Sequence, residues 1–375
     1  MNFACTQENL LQGLSLVSHI SGKNANLPIL GNVLLKTENG GLKLSTTNLE
    51  MAVSAMVRGR VEQAGEFTVP AKLLQDYISL LPAGKVELVL NGDGLEVRAD
   101  GSTTTVRGMP SSEFPLIPRL TKEGGYRLKA EELRGAIGQV AFAVSGSESR
   151  PELGGVACYF NGEHSGKLVM AATDSYRLAE RVTGLETGSS EAEVKCIVPA
   201  KAMQEIGRIL TAYSDDMGLP EAVEWAMTDS QMVITYGNVE LISRLIEASF
   251  PDYRQIIPTQ FKTTGTITRT ELAKAIRAAS LFSRQGLFDV HFEFSEGSLK
   301  VSSSDTGTGA HATSLKAVVD GDANKVTMNY RYISDGLAAI GKDKVTIRLI
   351  DGMNAVVVTP AEGEGYRYIV MPIRQ

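Results

Sequence analysis

The sequence predicts an α+β chain in which one domain is repeated three times. The first observation is a repeated tract. Residues 69–72 read Val-Pro-Ala-Lys, residues 198–201 read Val-Pro-Ala-Lys again, and Met328-Asn329-Tyr330-Arg331 is a worn third copy. Pro70 and Pro199 lie 129 residues apart, and Pro199 and Asn329 lie 130 apart. Such a period is far longer than the ~20–50 residues of a solenoid unit. The second observation is that a helix-like stretch and then a hairpin-like stretch follow each copy. The third is that the half of each repeat before the tract has its own strand, helix and hairpin.

Taken in order, each repeat opens on a short strand, MNFACT, then YRLKA, then GTITRT. A helix follows, ENLLQGLSLVSHISG, then EELRGAIGQVAFAVSG, then ELAKAIRAASLFSRQG. Leu10, Leu14 and Val17 fall at i, i+4 and i+7, and Leu272, Ile276 and Ala279 do the same, which is one face of a 3.6-residue helix. Hairpins come next. VLLKTENGGLKLSTTN turns at Asn39-Gly40-Gly41, and HFEFSEGSLKVSSSD turns at Glu296-Gly297. The repeated tract then begins the second helices, KLLQDYISLL, KAMQEIGRIL and RYISDGLAAIGKD. The last hairpins are KVELVLNGDGLEVRAD, AVEWAMTDSQMVITYG and KVTIRLIDGMNAVVVTP. Proline-bearing joints, 111–118 and 249–258, close the first two repeats, each with Phe-Pro and then Ile-Pro. Proline cannot donate to a sheet ladder, so it punctuates strands. These boundaries predict domains at 1–120, 121–252 and 253–375.

With 375 residues and 43% hydrophobic content, the chain is long enough for three independent cores. Its three cysteines, Cys5, Cys158 and Cys196, cannot all pair; without a signal peptide they read as reduced thiols of a cytoplasmic protein. No apolar run reaches ~18 residues, so no membrane span is expected. The net charge of −6 argues against a surface coated in nucleic acid but leaves room for a local basic face. Over the helical windows 7–20, 71–81, 130–144, 200–212, 270–285 and 330–341 Lys and Arg number eight and Asp and Glu seven, so the helices are slightly basic on an acidic chain.

Chemistry-bearing patterns are sparse. The four histidines, at 19, 164, 291 and 311, have no ligand at metal-binding spacing. Gly307-Thr308-Gly309 falls between strands and is too little for a dinucleotide fingerprint. Asp174-Ser175 and Asp305-Thr306 follow apolar strands, but such pairs are ordinary turn formers. No nucleophile, base and orienting group assemble from the sequence. Two readings from different classes remain. One is a non-enzymatic scaffold, which triplication favours. The other is an enzyme with its site at a domain junction, using Asp174 and Asp252 as carboxylates.

A family resemblance covers essentially the whole chain. It rests on Leu27-Pro28-Ile29-Leu30-Gly31-Asn32, Thr47-Asn48-Leu49-Glu50-Met51, Ala172-Thr173-Asp174-Ser175-Tyr176-Arg177-Leu178-Ala179, Phe250-Pro251-Asp252-Tyr253-Arg254 and Val370-Met371-Pro372-Ile373-Arg374. These tracts, in this order, resemble the bacterial DNA polymerase III β subunits, the sliding clamps. The resemblance implies a head-to-tail homodimeric ring of repeated domains, helices lining the hole and sheets outside, held on double-stranded DNA by topology and indifferent to its sequence. It implies no catalysis and no cofactor. The implied partners are the DNA polymerase III α subunit, the clamp loader, and other polymerases and repair proteins that carry a short clamp-binding motif.

The resemblance also implies site residues. A peptide cleft would be walled by Leu153, Thr173, Ser175, Tyr176, Arg177 and Leu178, by Pro251, Gln255 and Ile256, and by Asn329, Tyr332, Met353, Ala355, Ile369, Val370, Met371, Pro372, Ile373 and Arg374. Relatives commonly carry glycine where Ser175 stands and histidine where Tyr176 stands. DNA would meet Lys72, Lys201 and Arg277, with Lys23 beside Asn24, the counterpart of a DNA-facing arginine. The ring would seal at Thr104, Ser280 and Leu281.

Overall fold

A computed structural model describes residues 1–22, 26–118, 125–188, 192–213, 218–363 and 365–374. Among the described residues six α-helices follow the sequence pattern: α1 (Gln7–Val17), α2 (Ala71–Leu80), α3 (Ala130–Val140), α4 (Ala200–Ala212), α5 (Arg269–Ser280) and α6 (Tyr330–Ala339). The Thr6 hydroxyl accepts from the Asn9 amide at 3.3 Å to start α1, and the Asn329 side chain accepts from the Arg331 amide to start α6. The apolar faces are inward: Leu10, Leu14 and Val17 on α1 and Leu272, Ile276 and Ala279 on α5 are buried. The last helix ends at Ala339, before the Gly341-Lys342-Asp343 stretch that the sequence pattern would include.

The chain folds as two compact units, one of 1–134, 185–190 and 204–245, the other of 135–184, 191–203 and 246–375. In the first unit a five-stranded antiparallel sheet runs Arg60–Gln63, Asn2–Thr6, Lys85–Asn91, Gly94–Ala99, Ser102–Arg107. A nine-stranded sheet runs Thr187–Gly188, Gly125–Lys129, Ala222–Met227, Gln231–Tyr236, Val239–Arg244, Met51–Val57, Gly41–Thr47, Asn32–Glu38, Glu66–Pro70. In the second unit a twelve-stranded sheet runs Val194–Pro199, Gly155–Phe160, Lys167–Thr173, Arg177–Gly184, Tyr366–Val370, Val356–Pro360, Lys344–Leu349, Thr263–Thr268, Gly309–Gly321, Ser298–Asp305, Asp289–Ser295, Asn324–Asn329. Trp225, Phe3, Phe160, Phe292, Phe294 and Tyr368 are fully buried beneath these sheets. Each such side chain contributes about 1.5–3 kcal/mol.

The repeat is visible down to single hydrogen bonds. The Met109 amide donates to the Thr68 carbonyl at 3.0 Å, the Ile246 amide to Ile197 at 2.9 Å, and the Ile373 amide to Thr327 at 2.8 Å. Each bond ties the end of a repeat back to the strand that carries the Val-Pro-Ala-Lys tract or its worn copy. Successive repeats are joined by strand pairing. Val239–Arg244 lies on Met51–Val57, with Leu241 opposite Val53, and Tyr366–Val370 lies on Arg177–Gly184, with Tyr368 opposite Ala179. Beyond each pair one more bond forms, from the Arg244 amide to the Glu50 carbonyl at 3.0 Å and from the Met371 amide to the Tyr176 carbonyl at 2.9 Å.

Candidate functional site

The turn before strand Arg177–Gly184 is built around one carboxylate. Asp174 accepts from the amides of Tyr176 and Arg177, both at 3.0 Å, and from the Arg177 Nε at 2.9 Å. The Thr173 hydroxyl donates to the Arg177 carbonyl at 2.6 Å and accepts from the Ser175 amide at 3.1 Å. Ser175 is thereby held at φ 80°, in the left-handed region that favours glycine. The same set recurs one repeat earlier, where Asn48 accepts from Glu50 and Met51, Thr47 from Leu49, and Leu49 sits at φ 76°. It recurs in part at Asp305, which accepts from Gly307 and Thr308. Asp174 is therefore a turn-forming carboxylate with its lone pairs engaged. Asp252, the other candidate for catalysis, accepts from the Gln255 side chain at 2.7 Å. Neither is joined to a nucleophile.

Arg177 links this turn to α6. Its Nη1 donates to Asp335 at 2.5 Å and its Nη2 to the Phe142 carbonyl at 3.1 Å. The guanidinium lies 4.8 Å from the Tyr332 ring centroid and 5.4 Å from that of Phe142. Burial disfavours its charge, but Asp335 and its other partners more than offset this and hold it above its ordinary value. Burial, reinforced by Asp174, pushes the Tyr332 hydroxyl up, so that ring stays neutral. Tyr176 stacks on Tyr332, centroids 6.5 Å apart, and is itself 63% exposed. Gly336 leaves room for the Tyr368 ring, whose hydroxyl donates to the Tyr332 carbonyl at 2.8 Å.

Under this aromatic rim Leu178, Ile369 and Ala355 pack with Ala171, Val357 and Tyr253 as one buried cluster, and Met371 packs on its edge. The Tyr253 hydroxyl donates to buried Glu180 at 2.6 Å; burial and then that carboxylate push it up. Met353, 63% exposed, sits on a turn that Asp351 caps by accepting from the Met353 and Asn354 amides at 2.8 and 3.0 Å. Those bonds hold the Asp351 carboxyl below the usual range. The tail is tied by the Met371 and Ile373 amides.

Of the predicted wall residues, the structure joins Leu178, Ala355, Ile369 and Met371 in that cluster and links Tyr176 and Arg177 through Tyr332. Leu153, Thr173, Leu178, Ala355, Ile369 and Val370 are buried, while Ser175, Tyr176, Gln255, Ile256, Met353 and Arg374 are exposed. Arg177, Pro251, Asn329, Tyr332, Met371, Pro372 and Ile373 are half-buried. Sequence reasoning missed Phe142, Tyr253 and Asp335, because each acts through a partner distant in the chain.

The predicted DNA-facing residues are exposed on helices: Lys72 on α2, Lys201 on α4 and Arg277 on α5. Lys72 also pairs with Asp76 at 3.7 Å. Lys23 lies outside the described residues. Arg208 of α4 is withdrawn from any such face. Its Nη1 and Nη2 donate to the Ser15 and Leu16 carbonyls at 3.1 and 2.5 Å, capping α1, and it bonds buried Glu205 at 2.7 Å. Of the predicted ring-sealing residues, Thr104 lies on the edge strand Ser102–Arg107, and Leu281, 73% exposed, follows Ser280 at the end of α5. Among the described residues no group of three His, Cys, Asp or Glu could hold a metal, and no helix is long and apolar enough to cross a membrane.

Comparisons with known proteins agree along the whole chain. Family models for the DNA polymerase III beta subunit match with the N-terminal domain at residues 1–118, the central domain at 127–252 and the C-terminal domain at 254–374. The beta sliding clamp of Synechocystis sp. is 32% identical, covering 100% of this chain and 99% of that protein. The beta sliding clamp of Vibrio cholerae is 28% identical with 100% of both covered. The solved structure of the Pseudomonas aeruginosa sliding clamp bound to griselimycin superposes with a TM-score of 0.92 at 27% identity, 100% of both chains covered.

Proposed function

Because the chain belongs to the DNA polymerase III beta-subunit family, the sliding clamps, we propose that two copies close head to tail into a ring around duplex DNA, and that each copy docks partner proteins at its tail-lined cleft. The family is a processivity factor without catalytic activity. The repeat supports domains at 1–120, 121–252 and 253–375, in a protein that works in the cytoplasm.

The repeated junction carries the ring. Within the chain, the last strand of one repeat lies on the strand that follows the Asx turn of the repeat before it. One last strand, Ser102–Arg107, stands at the edge of its sheet, and one strand after an Asx turn, Gly309–Gly321, pairs with Thr263–Thr268 only over its far end. Two copies satisfy both. The register follows from equivalence. Thr173 opposes Leu178 and Ser304 opposes Ala310, so His311 corresponds to Ala179. Thr104 corresponds to Tyr368 and so falls opposite His311 of the partner subunit. Thr104 and His311 are both half-buried in strands whose exposure alternates, and strand pairing matches like faces. Ser280 and Leu281 would close the same joint.

Topology then holds the ring, and Lys72, Lys201, Arg277 and Lys23 supply weak phosphate contacts that read no base. The cleft offers an apolar floor at Leu178 and Ile369 and exposed walls at Met353, Tyr176 and Ile256. Methionine repacks cheaply, which suits several partners in turn: the polymerase α subunit, the clamp loader, and other polymerases and repair proteins. The test is a double variant, Thr103→Cys with Ala312→Cys, one register pair beside Thr104. Oxidation should crosslink the dimer covalently and lock it on circular DNA, while linear DNA still slides out. Crosslinked protein that leaves circular and linear DNA equally fast would refute encirclement.

A further inference from the structure

The equivalence that supports the ring also identifies a second cleft wall. At the tail, that wall is Asn329, Tyr332, Met371 and Ile373. Counting along the repeat, the matching residues near the start of α2 and beyond the strand Ser102–Arg107 are Pro70, Leu73, Arg107 and Met109. The anchoring bond is the same, Met109 amide to Thr68 carbonyl at 3.0 Å against Ile373 amide to Thr327 carbonyl at 2.8 Å. All four of these residues line a groove of about 1340 Å³. Leu73 is 55% exposed along it. We propose that this groove is a second docking site, completed by the partner copy, for an extended peptide that sets a carboxylate beside a bulky aliphatic side chain.

The site rests on the ring reading, since its opposite wall would be the Asx turn at 305–309 of the partner subunit, the counterpart of 174–177. Its chemistry differs from that of the tail cleft at two positions. Arg107 stands where the tail has Met371, and Leu73 stands where α6 has Tyr332. Lys72 lines the same groove 3.7 Å from Asp76, its one acidic residue among the described lining, and His19 lines it bonded to Glu205 at 2.6 Å. Arg208 also reaches it, but its guanidinium is held by α1 and Glu205. Arg107 is therefore the lining cation that no carboxylate of the described residues pairs, and the occupant it complements is acidic. No Phe, Tyr or Trp lines the groove among the described residues, so successive bases have no stacking platform. That favours a peptide over single-stranded DNA.

The experiment uses the full-length protein with its tail cleft saturated by an excess of unlabelled glutamine–leucine–phenylalanine peptide. A fluorescein-labelled peptide with two aspartates followed by two leucines is titrated by anisotropy, and each protein is sedimented at the same concentration. The expected result is one labelled peptide bound per chain of a dimer. Leu73→Ala and Arg107→Glu should each weaken it at least tenfold, Arg107→Lys should retain it, and added salt should weaken it. The monomeric Leu281→Asp variant should not bind. A monomeric wild type would overturn the ring and the composite site with it. A dimer whose binding is absent, or unchanged in Leu73→Ala and Arg107→Glu, overturns the groove alone. So does an oligothymidine that displaces the peptide and is lost in the same two variants.

Discussion

Deleting residues 371–375 tests how the tail builds the cleft. The deletion removes two backbone bonds, Met371 amide to Tyr176 carbonyl and Ile373 amide to Thr327 carbonyl, at 2.9 and 2.8 Å. At ~0.5–1.5 kcal/mol net each, they contribute about 1–3 kcal/mol. The half-buried Met371 side chain adds about 1 kcal/mol. The total, about 2–4 kcal/mol, is below the 5–15 kcal/mol of a typical domain. The strand Tyr366–Val370 keeps its pairing with residues 177–181, so the fold and the dimer edges should survive. A docked leucine and phenylalanine together would gain about 3–6 kcal/mol by burial. In the proposed cleft the tail is one of two walls, and losing half of that gain weakens binding roughly tenfold to hundredfold or more, at 1.4 kcal/mol per tenfold. Fluorescence anisotropy with a labelled glutamine–leucine–phenylalanine peptide measures this directly, with sedimentation confirming an intact dimer. A truncated protein that binds within twofold of the full-length protein would refute the tail as a wall.

Leu281→Asp should move the dimer towards monomer without unfolding it, because the new charge would be buried against the partner; an unchanged dimer by ultracentrifugation at low concentration would place the seal elsewhere. Replacing Lys72, Lys201 and Arg277 together by alanine should reduce the steepness of the salt dependence of DNA retention by about 2–3 in log–log slope, at ~0.9 per phosphate contact, and single changes should each do about a third of this. Stability should fall in acid through Asp289. Burial raises this carboxyl, but Arg284 pairs with it and holds it below the ordinary range. A depressed folded value means the contribution is present at neutral pH and is lost as pH falls below about 4. Urea unfolding of Asp289→Asn should show a lower stability at pH 7, by about 1–3 kcal/mol, and a flatter acid limb; parallel acid limbs for variant and wild type would refute the pairing.

Local pattern alone determined a great deal about this protein. The Val-Pro-Ala-Lys repeat revealed three domains, the i, i+4, i+7 spacing on α1 and α5 revealed their buried faces, and Asn39-Gly40 marked a turn in which both residues have positive φ. These features depend on near neighbours, and repetition reported each of them more than once. The proposed site residues at 173, 175–178 and 369–374 were legible only within tracts shared with a family. What joins them was decided by tertiary structure. Arg177 meets Asp335 across 158 positions, and His19 meets Glu205 across 186. No periodicity encodes such pairs, because they follow from sheet register once distant strands have paired. The same pairing explains why the compact units cut across the repeats. The strand Val239–Arg244 is ladder-bonded to Met51–Val57, and Tyr366–Val370 to Arg177–Gly184, so each junction between repeats is as continuous as the sheets themselves. A sequence shows where one copy of a domain ends and the next begins. Only backbone hydrogen bonding between copies decides that the boundary is a seam, the place where the proposed docking cleft lies.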